Sequence, residues 1–577
     1  MSNVVAFRPI EDTPDDSLNG LELNSETAIG HLIQATTEAY LAGIDPVITT
    51  RPAPEPRTVT QQLLEHVNAA IDAVNLDMPK NRMPHGHLKA LTSGQLAQVA
   101  VCLHHACRIV PATAPEDRDK PVVAIYVDHG LDEGLYDASS AGLASILLDY
   151  DPELSERIAK EVRAKLAAKA PKKQQNADPD LVPLQNGVFN YKTKALLPFS
   201  PDVVLLGKAR VRWNPHAESP VITRTEPVLD EDGVQVVDHN GDPVTVTHTW
   251  EVEEWIQSLS DDPEVIRLLW QVIGATLRPY VKWRRWLNLY SEKGNNGKGT
   301  FLELLRNLLG ADSWASIPVD QFAVNFMLEP LLRATAVLTD ENDVGAYLPS
   351  AGNFKAVVTN DRIQLNRKGK PAITFQFFGL MVQCFNSVLS SKDKSESFYR
   401  RQLVVPFKKW FGGKGVEVTS IKDDYLQRPE VLEYVLKRVM LDTLDFYVLD
   451  NPQACRELLE EQKIMNDPIR EFWAEIEPQL VGDRQPNARL FAAYVAWMAE
   501  NNPSGHPVTS NAFGRKLTEL TVGRWEPGQH TPGANPAEPW IGRYNLVAWM
   551  KPGYGGKSAD QLYTSDLGTK FRGLKRI

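Results

Sequence analysis

Residues 286–300 read Trp-Leu-Asn-Leu-Tyr-Ser-Glu-Lys-Gly-Asn-Asn-Gly-Lys-Gly-Thr, and residues 301–310 continue Phe-Leu-Glu-Leu-Leu-Arg-Asn-Leu-Leu-Gly. The apolar start predicts a short buried strand, the Gly and Asn residues predict a tight turn, and the leucines recur at helical spacing. Such a loop leaves backbone N–H groups at a helix N-terminus, where they and a lysine ammonium attract phosphate. We therefore predict a triphosphate site formed by Gly294, Asn295, Asn296, Gly297, Lys298, Gly299 and Thr300.

This stretch departs from the usual phosphate-loop pattern at two positions. Glu292 stands where the first Gly is expected, and Gly299 stands where a Mg²⁺-binding Ser or Thr is expected. We predict that the turn relies on Gly294 and that Thr300 takes over as the Mg²⁺ ligand. On these residues alone, an ordinary Gly-Lys loop is the alternative interpretation.

Composition limits the class of protein. The 577 residues are 43% hydrophobic and 23% charged, which is ordinary for a globular chain of several domains. No apolar run is long enough for a membrane span, and the first residues lack the features of a signal peptide, so we expect a cytoplasmic protein without a membrane partner. The four cysteines are too few for a disulfide framework. The net charge of −11 means that any DNA contact must come from local basic surfaces.

Two short motifs in the first third could indicate metal chemistry, but we favour structural roles for both. Cys102 and Cys107 flank two histidines, in a run predicted to be helical over 88–110, where positions five apart do not share a face. Asp128 follows a predicted strand over 121–127 but has no second carboxylate beside it, as a two-metal site requires. We therefore assign no primer synthesis to this region.

Downstream of the phosphate loop, a second hydrophobic strand over 336–339 is followed by Asp340 and Glu341. Asp340 is suited to hold Mg²⁺ and Glu341 to polarise the attacking water. A third predicted strand, 373–387, contains Asn386 near its end, where an amide can contact the γ-phosphate or the water. Arg400 and Arg401 precede another buried strand and are both candidates for an arginine finger.

This order of motifs resembles helicase superfamily 3, in its phage, plasmid and poxvirus primase-helicase branch. The motifs that carry the resemblance lie within 286–409, and 184–191 with 211–215 resemble the family's pre-helicase domain. The resemblance implies an AAA+-type ATPase that uses ATP and Mg²⁺, forms a homo-oligomeric ring, commonly a hexamer, and moves 3′ to 5′ on single-stranded DNA. It also implies that the basic turn of a hairpin, with Arg367, Lys368 and Lys370, enters the ring channel, although a solvated turn is the ordinary reading of such a sequence.

The last ninety residues carry a local basic balance. Residues 486–577 contain eleven Lys and Arg against six Asp and Glu. Residues 508–520 predict a capped helix with Arg515 and Lys516 exposed, and 563–574 predict the closing strand of a winged helix. We predict DNA contacts at Arg515 and Lys516, with a solvated basic face as the alternative.

Together these patterns predict an α/β fold with a P-loop AAA+-like core, a mixed α+β N-terminal region and a winged-helix-like C-terminal domain. The predicted segments are an acidic disordered tail (1–25), a mainly helical region (26–180), a pre-helicase domain with a β-hairpin insertion (181–285), the ATPase core (286–409), a helical segment (410–465) and the DNA-binding domain (466–577).

The function predicted from these patterns is that of an ATP-dependent replicative DNA helicase of a phage, prophage or plasmid-like element. Its expected partners are single-stranded DNA, origin DNA, further copies of the chain and replication proteins. A P-loop small-molecule kinase, which the Gly-Lys-Gly-Thr ending of the loop favours, and a DNA-binding regulator with a vestigial ATPase are the alternatives.

Overall fold

The computed structural model describes residues 25–44, 54–112, 121–228, 230, 234–342, 347–348, 352–391, 393–412, 418–503, 505–531, 538–546 and 570–577. Most of the predicted acidic tail, residues 1–24, and part of the predicted hairpin insertion, residues 231–233, lie outside these ranges. The chain divides into two compact units, one comprising 1–176 and 199–206, the other 177–198 and 207–577. The domain boundaries predicted from the sequence remain predictions.

The described residues of the first unit form five helices and a small sheet. Its helices are α1 (Ser25–Ala42), α2 (Pro56–Leu76), α3 (Ser93–His104), α4 (Ser140–Tyr150) and α5 (Glu156–Lys169), and its strands are β1 (Cys107–Val110), β2 (Val122–Tyr126), β3 (Tyr136–Asp137) and β4 (Lys172–Gln174). The sheet order is β3-β2-β1-β4. Helix α2 shows why the pattern folds this way, because Val59, Leu63, Val67 and Ile71 recur every fourth residue and are all buried.

One expectation for this unit is wrong. The helix predicted over 88–110 ends at His104, because His105 adopts a left-handed conformation (φ 51°), and the chain continues as β1. Strand β4 pairs in parallel with β1. Cys102 therefore lies on an exposed helix position and Cys107 in a buried strand, so the two thiols are in different elements.

The second unit opens with β-structure that includes a hairpin, as predicted, and a pair of helices follows. Three strands form one antiparallel sheet and two form a hairpin, and the helices then lead toward the phosphate loop. These elements are β5 (Leu181–Leu184), β6 (Gly187–Asn190), β7 (Ala195–Leu197), β8 (Ile222–Pro227), β9 (Thr245–Trp250), α6 (Val252–Ser258) and α7 (Pro263–Leu277). Helix α7 is buried along most of its length and belongs to the same hydrophobic core as the large sheet.

The large sheet is parallel and has the strand order β11-β12-β16-β10-β18. Its elements and those inserted between its strands are β10 (Trp286–Tyr290), α8 (Lys298–Leu309), β11 (Trp314–Ala315), β12 (Ala336–Thr339), β13 (Tyr347–Leu348), α9 (Gly352–Val358), β14 (Arg362–Arg367), β15 (Lys370–Gln376), β16 (Leu380–Phe385), β17 (Ser390–Ser391), α10 (Glu396–Tyr399) and β18 (Gln402–Pro406). The side chains of β10, β12, β16 and β18 are buried on both faces, as expected for a covered parallel sheet.

The apolar run 373–387 forms parts of two strands instead of the single strand predicted. β15 pairs with β14 as a hairpin, and β16 joins the large sheet. The chain changes direction at Gly379 (φ 155°), where a Cβ atom would lie 2.3 Å from the Thr335 carbonyl oxygen. Only glycine fits this crossing, and hydrophobicity alone does not reveal it.

After β18, the residues that the structure describes form helices and a three-stranded antiparallel sheet of order β19-β21-β20. The elements are α11 (Thr419–Asp423), α12 (Pro429–Lys437), α13 (Gln453–Asn466), α14 (Pro468–Ile476), β19 (Arg484–Pro486), α15 (Asn487–Asn501), α16 (Ser510–Leu520), β20 (Trp525–His530), α17 (Pro539–Arg543) and β21 (Phe571–Arg576). The Thr509 side chain caps α16 as predicted, and strand β21 falls at the end of the predicted closing strand, whose earlier residues, 563–569, lie outside the described ranges. Aromatic residues of α14, α15 and α16 pack into one separate core.

Candidate nucleotide site

The phosphate loop has the strand-turn-helix form that its sequence predicts. Asn295 (φ 52°) and Gly297 (φ 86°) adopt left-handed conformations, and α8 begins at Lys298. The Asn296 side chain fastens the turn, because its Oδ1 accepts from the Lys298 N–H at 3.1 Å and its Nδ2 donates to the Lys293 carbonyl. The prediction that the turn relies on Gly294 is wrong, because Gly294 is exposed and uncrowded and has no left-handed conformation. The turn relies on Asn295 and Gly297 instead.

The N-terminus of α8 has donors available for an anion. No side chain caps this helix, and the backbone N–H groups of Gly299 and Thr300 belong to the first turn, where a helix supplies no acceptor. Gly297 must remain small as well as left-handed, because a Cβ atom there would lie 2.7 Å from Leu259 Cδ2. Backbone donors and the helix dipole therefore converge where the sequence places a phosphate site.

Lys298 is buried, only 5% exposed, and its Nζ donates to Asn386 Oδ1 at 2.9 Å. Burial lowers the pKa of Lys298, and the charges of neighbouring groups, including Asp340, oppose this shift only in part. Among the described residues, no carboxylate lies within ion-pair distance of Nζ. The buried ammonium of Lys298 is hydrogen-bonded to a neutral amide, so an anionic ligand bound beside it would balance its charge.

Parallel strands bring the other predicted residues to the same edge of the sheet. Strand β10 ends at the phosphate loop, β12 ends at Asp340, and β16 ends at Asn386. β16 lies between the other two strands, so Asn386 is on the strand next to β10 and Asp340 is one strand further away. From this neighbouring strand Asn386 reaches Lys298.

Asp340 faces Gly299 and not the following residue. A Cβ atom built on Gly299 would lie 3.4 Å from both carboxylate oxygens of Asp340. Successive helical residues point about 100° apart, so Thr300 does not share this direction. A Ser or Thr at position 299 would point toward Asp340. The Thr300 side chain points in another direction, so the two predicted Mg²⁺ ligands, Asp340 and Thr300, do not face each other. Glu341 is exposed beside Asp340.

Sequence reasoning missed two groups that hold Asp340 in place. Arg306 Nη1 lies 3.8 Å from Asp340 Oδ2 and 3.3 Å from Glu303 Oε2. Asn342, which is buried, donates to Gln383 Oε1 and to the Cys384 carbonyl, both at 3.0 Å, and thereby attaches the Asp340-Glu341 turn to β16. The only sequence signal for Asn342 was its position directly after the two acids.

The two arginines before β18 have different environments. Arg401 Nη1 donates to the Ser397 carbonyl and to Ser397 Oγ (2.8 Å), so this side chain folds back on its own segment. Arg400 is exposed and forms no ion pair in the described part of the chain. Both precede a strand parallel to β10, so they lie at the opposite end of the sheet from Lys298, roughly five residues of strand or 16 Å away.

The predicted DNA-contacting turn joins β14 to β15. Lys368 is exposed, whereas the Arg367 guanidinium donates to the Pro371 carbonyl at 2.9 and 3.2 Å and is partly buried. Burial lowers the pKa of Arg367, with Glu329 opposing the shift. The Lys370 side chain lies outside the described part of the structure. Of these three residues, Lys368 is the one shown extending from the turn.

The net positive charge of residues 486–577 is reduced by acidic residues that lie earlier in the chain. Arg524 pairs with Glu477 and Arg543 with Glu475, both at 2.7 Å. Arg515 is exposed as predicted, but Lys516 is only 15% exposed and is paired with Asp467 and Glu519, so its predicted exposure is wrong. Counting charges from residue 486 onward omitted these partners.

A cleft of about 210 Å³ adjoins the phosphate loop. Leu259, which touches the Gly297 position, lines it together with Val265, Pro406 and Ala454, and polar groups at its edge include Asp261 and Lys409. Asp261 and Lys409 form an ion pair with each other. The cleft therefore offers apolar walls next to the phosphate-binding loop.

Within the described ranges, no helix is long and apolar enough to cross a membrane. The same residues contain no group of three or more His, Cys, Asp or Glu side chains arranged to hold a metal ion. A Mg²⁺ site built on Asp340 alone is compatible with this, because Mg²⁺ usually keeps several waters and uses one or two carboxylates plus phosphate oxygens.

Comparison with protein families finds three separate segments of similarity. Residues 289–401, which include Lys298, Asp340, Asn386 and Arg400, match a family of unknown function, DUF5906. Residues 144–228 match a model described as D5 N terminal like, and residues 464–545 match one described as poxvirus D5 protein-like. The two segments that match D5 models thus precede and follow the parallel sheet in the sequence. A search of curated proteins finds no match.

Among solved structures, the chain is similar to the apo structure of the NrS-1 C-terminal region (305–718), with 13% identity over 73% of this chain and 93% of that chain and a TM-score of 0.38. A second, A-form apo structure of the NrS-1 C-terminal region is 13% identical over 79% of this chain and 94% of that chain, with a TM-score of 0.36. A structure of JCV Helicase is 16% identical over 37% of this chain and 58% of that chain, with a TM-score of 0.23.

Proposed function

We propose that this protein is an ATP-dependent replicative DNA helicase of a phage, prophage or plasmid-like element. One observation carries the proposal. The uncapped N-terminus of α8, Lys298, Asn386 and Asp340 come together at the carboxyl ends of the parallel strands, and Arg400 lies at the opposite ends of the strands. The D5-like segments that precede and follow the sheet in the sequence support a replicative helicase as well.

The residues of the edge divide the work of ATP hydrolysis among them. The Gly299 and Thr300 amides and the Lys298 ammonium bind the β- and γ-phosphates, and the cleft beside Leu259 accommodates the nucleobase. Asp340 holds Mg²⁺, which supplies charge neutralisation when bound. Glu341 orients and polarises the attacking water, and Asn386 contacts the transferred phosphoryl group while keeping Lys298 in position.

The separation of Arg400 from its own Lys298 supports action between subunits. An arginine at the far end of the sheet cannot reach the γ-phosphate bound by its own chain, but it can reach that of the next copy in a ring. We therefore propose a homo-oligomeric ring, a hexamer by resemblance, in which Lys368 follows the DNA backbone through sequence-independent phosphate contacts during 3′ to 5′ movement. We also propose that Arg515, which is exposed on α16, and the β19-β21-β20 sheet belong to a winged-helix-like module that contacts origin DNA.

The direct test is strand displacement on a forked DNA with wild-type protein, Lys298→Ala and Lys368→Ala. We expect unwinding by the wild type only, with ATPase activity lost in Lys298→Ala but retained, without stimulation by single-stranded DNA, in Lys368→Ala. The basic turn has no task in a small-molecule kinase, so unchanged stimulation by DNA in Lys368→Ala would count against translocation. ATP turnover by the wild type without any unwinding, in every oligomeric state, would overturn the helicase proposal.

A further inference from the structure

The short segment that presents Arg400 is anchored by charges from four other helices. Helix α10 has only four residues, with the Ser395 side chain as its N-cap and Arg400 as its C-cap. A helix of one turn has little stability of its own, so its position depends on tertiary contacts. Phe398 and Tyr399 of α10 are buried, and Phe398 packs against Phe354 of α9. The charged contacts are made by Glu396, the first residue of α10, and by the two residues before Ser395.

Glu396 is the acceptor for two nearly buried cations. Arg470 of α14 and Lys463 of α13 both reach its carboxylate, the latter at 3.4 Å, and their side chains are 12% and 8% exposed. Burial alone would raise the pKa of Glu396, but Lys463 and Arg470 outweigh it, so the net shift is downward. The Glu396 side chain is 62% exposed, and its carboxylate is paired with one cation from α13 and one from α14.

Lys516 of α16 connects the same segment to the C-terminal helices. Its Nζ lies 3.7 Å from the nearly buried Asp467 and donates to the Lys394 carbonyl at 3.4 Å, two residues before Glu396. On the other side, Asp393 pairs with Lys355 of α9 at 2.6 Å, and α9 leads directly into the basic hairpin. Residues 393–396 are thus held between the hairpin helix and α16.

We propose that this charged network positions Arg400, so that Lys516, Arg470 and Glu396 set the rate of ATP hydrolysis in the neighbouring subunit. The inference rests on the proposed function and extends it, because it makes Lys516 a positioning residue instead of a DNA ligand. Arg515, its neighbour on α16, points to solvent, so one helix carries both a residue for DNA and a residue for the finger. Movement of α16 on DNA is thereby transmitted to the arginine of the ATP site.

The test compares Lys516→Ala, Lys516→Arg and Arg524→Ala in ATPase assays without DNA. Lys516→Ala is expected to lower kcat roughly tenfold to a hundredfold, as a displacement of about 1 Å at a catalytic group does, with KM for ATP within twofold. Lys516→Arg keeps the charge and is expected to restore most of kcat. Arg524→Ala removes another C-terminal ion pair, that with Glu477, which does not touch residues 393–400, and is expected to leave kcat unchanged.

A mixing experiment separates a displaced finger from a damaged protein. Lys298→Ala subunits have no working ATP site but an intact Arg400, whereas Lys516→Ala subunits have an intact site and a displaced Arg400. Mixed oligomers are therefore expected to hydrolyse ATP severalfold faster, per Lys516→Ala subunit, than Lys516→Ala alone. No gain on mixing, or a wild-type kcat in Lys516→Ala, overturns the inference. If the wild-type protein itself shows no ATPase activity, the proposed function is refuted instead.

Discussion

Replacing Gly299 by serine tests which residue completes the Mg²⁺ site. A Cβ atom at this position meets both oxygens of Asp340 at 3.4 Å, which is ordinary van der Waals contact, so serine fits without displacing the carboxylate. Its hydroxyl then falls within hydrogen-bond reach of Asp340. Thr300 points about 100° away on the same helix, so its hydroxyl cannot take this place without rotation of the turn.

The size of the effect on Mg²⁺ binding follows from the new hydrogen bond, whereas a second contribution acts only on the stability of the helix. A hydrogen bond to a charged group contributes about 1.5–3 kcal/mol, and we reduce this to about 1 kcal/mol because the Asp340 side chain is one-third exposed. Serine is also better than glycine inside a helix by roughly 0.4 kcal/mol. A hydroxyl already held beside Asp340 can replace one water on Mg²⁺, so about 1 kcal/mol corresponds to roughly a fivefold lower Mg²⁺ requirement.

The assay is ATPase rate against Mg²⁺ concentration for Gly299→Ser, Thr300→Ala and Thr300→Ser at saturating ATP. We expect the half-maximal Mg²⁺ concentration to fall about fivefold in Gly299→Ser and to stay within twofold in Thr300→Ala. Thr300→Ser keeps the hydroxyl and serves as the control. A tenfold or larger rise in Thr300→Ala that Thr300→Ser reverses would refute the geometric reasoning and make Thr300 the ligand.

Three further outcomes are expected. Asn342→Ala removes a buried amide that bonds Gln383 and Cys384, and should lower the free energy of unfolding by about 2–3 kcal/mol in urea titration, whereas the exposed neighbour variant Glu341→Gln should lose kcat without losing stability. Because burial lowers the pKa of Lys298 from its ordinary 10.5, its charge is lost on raising the pH before that value is reached, so KM for ATP should rise at alkaline pH in the wild type but not in Lys298→Arg. Arg400→Ala should abolish cooperative ATP turnover at unchanged stability, whereas Arg401→Ala should mainly lower stability; equal kcat losses at unchanged stability would contradict the distinction.

The elements around the phosphate loop were predictable because their signals are local. The apolar run of β10, the Asn and Gly residues of the turn and the leucine spacing of α8 each lie within a few residues of the structure they specify. The order in which the strands assemble is not local. No feature of the sequence shows that β16 inserts between β10 and β12, and this insertion brings Asn386 to Lys298.

The errors have the same physical origin. The break at Gly379 is imposed by the Thr335 backbone, more than forty residues earlier in the chain, and hydrophobicity carries no trace of that approach. Similarly, the positive charges of Arg524 and Arg543 are balanced by the carboxylates of Glu477 and Glu475. These two acids lie outside the stretch 486–577 whose charges we summed. A local charge balance describes a surface only when the partners of its residues are local too.

Lys516 shows how such a partner changes a functional assignment. In sequence, Arg515 and Lys516 are equivalent basic residues on one predicted helix, and both are predicted to contact DNA. In the structure, a one-residue step of about 100° sends Arg515 to solvent and Lys516 toward Asp467 and the Lys394 carbonyl. The same basic pair therefore serves two surfaces. Because the second surface bears the segment of Arg400, a charge predicted to bind DNA becomes a means of coupling the C-terminal helices to ATP hydrolysis.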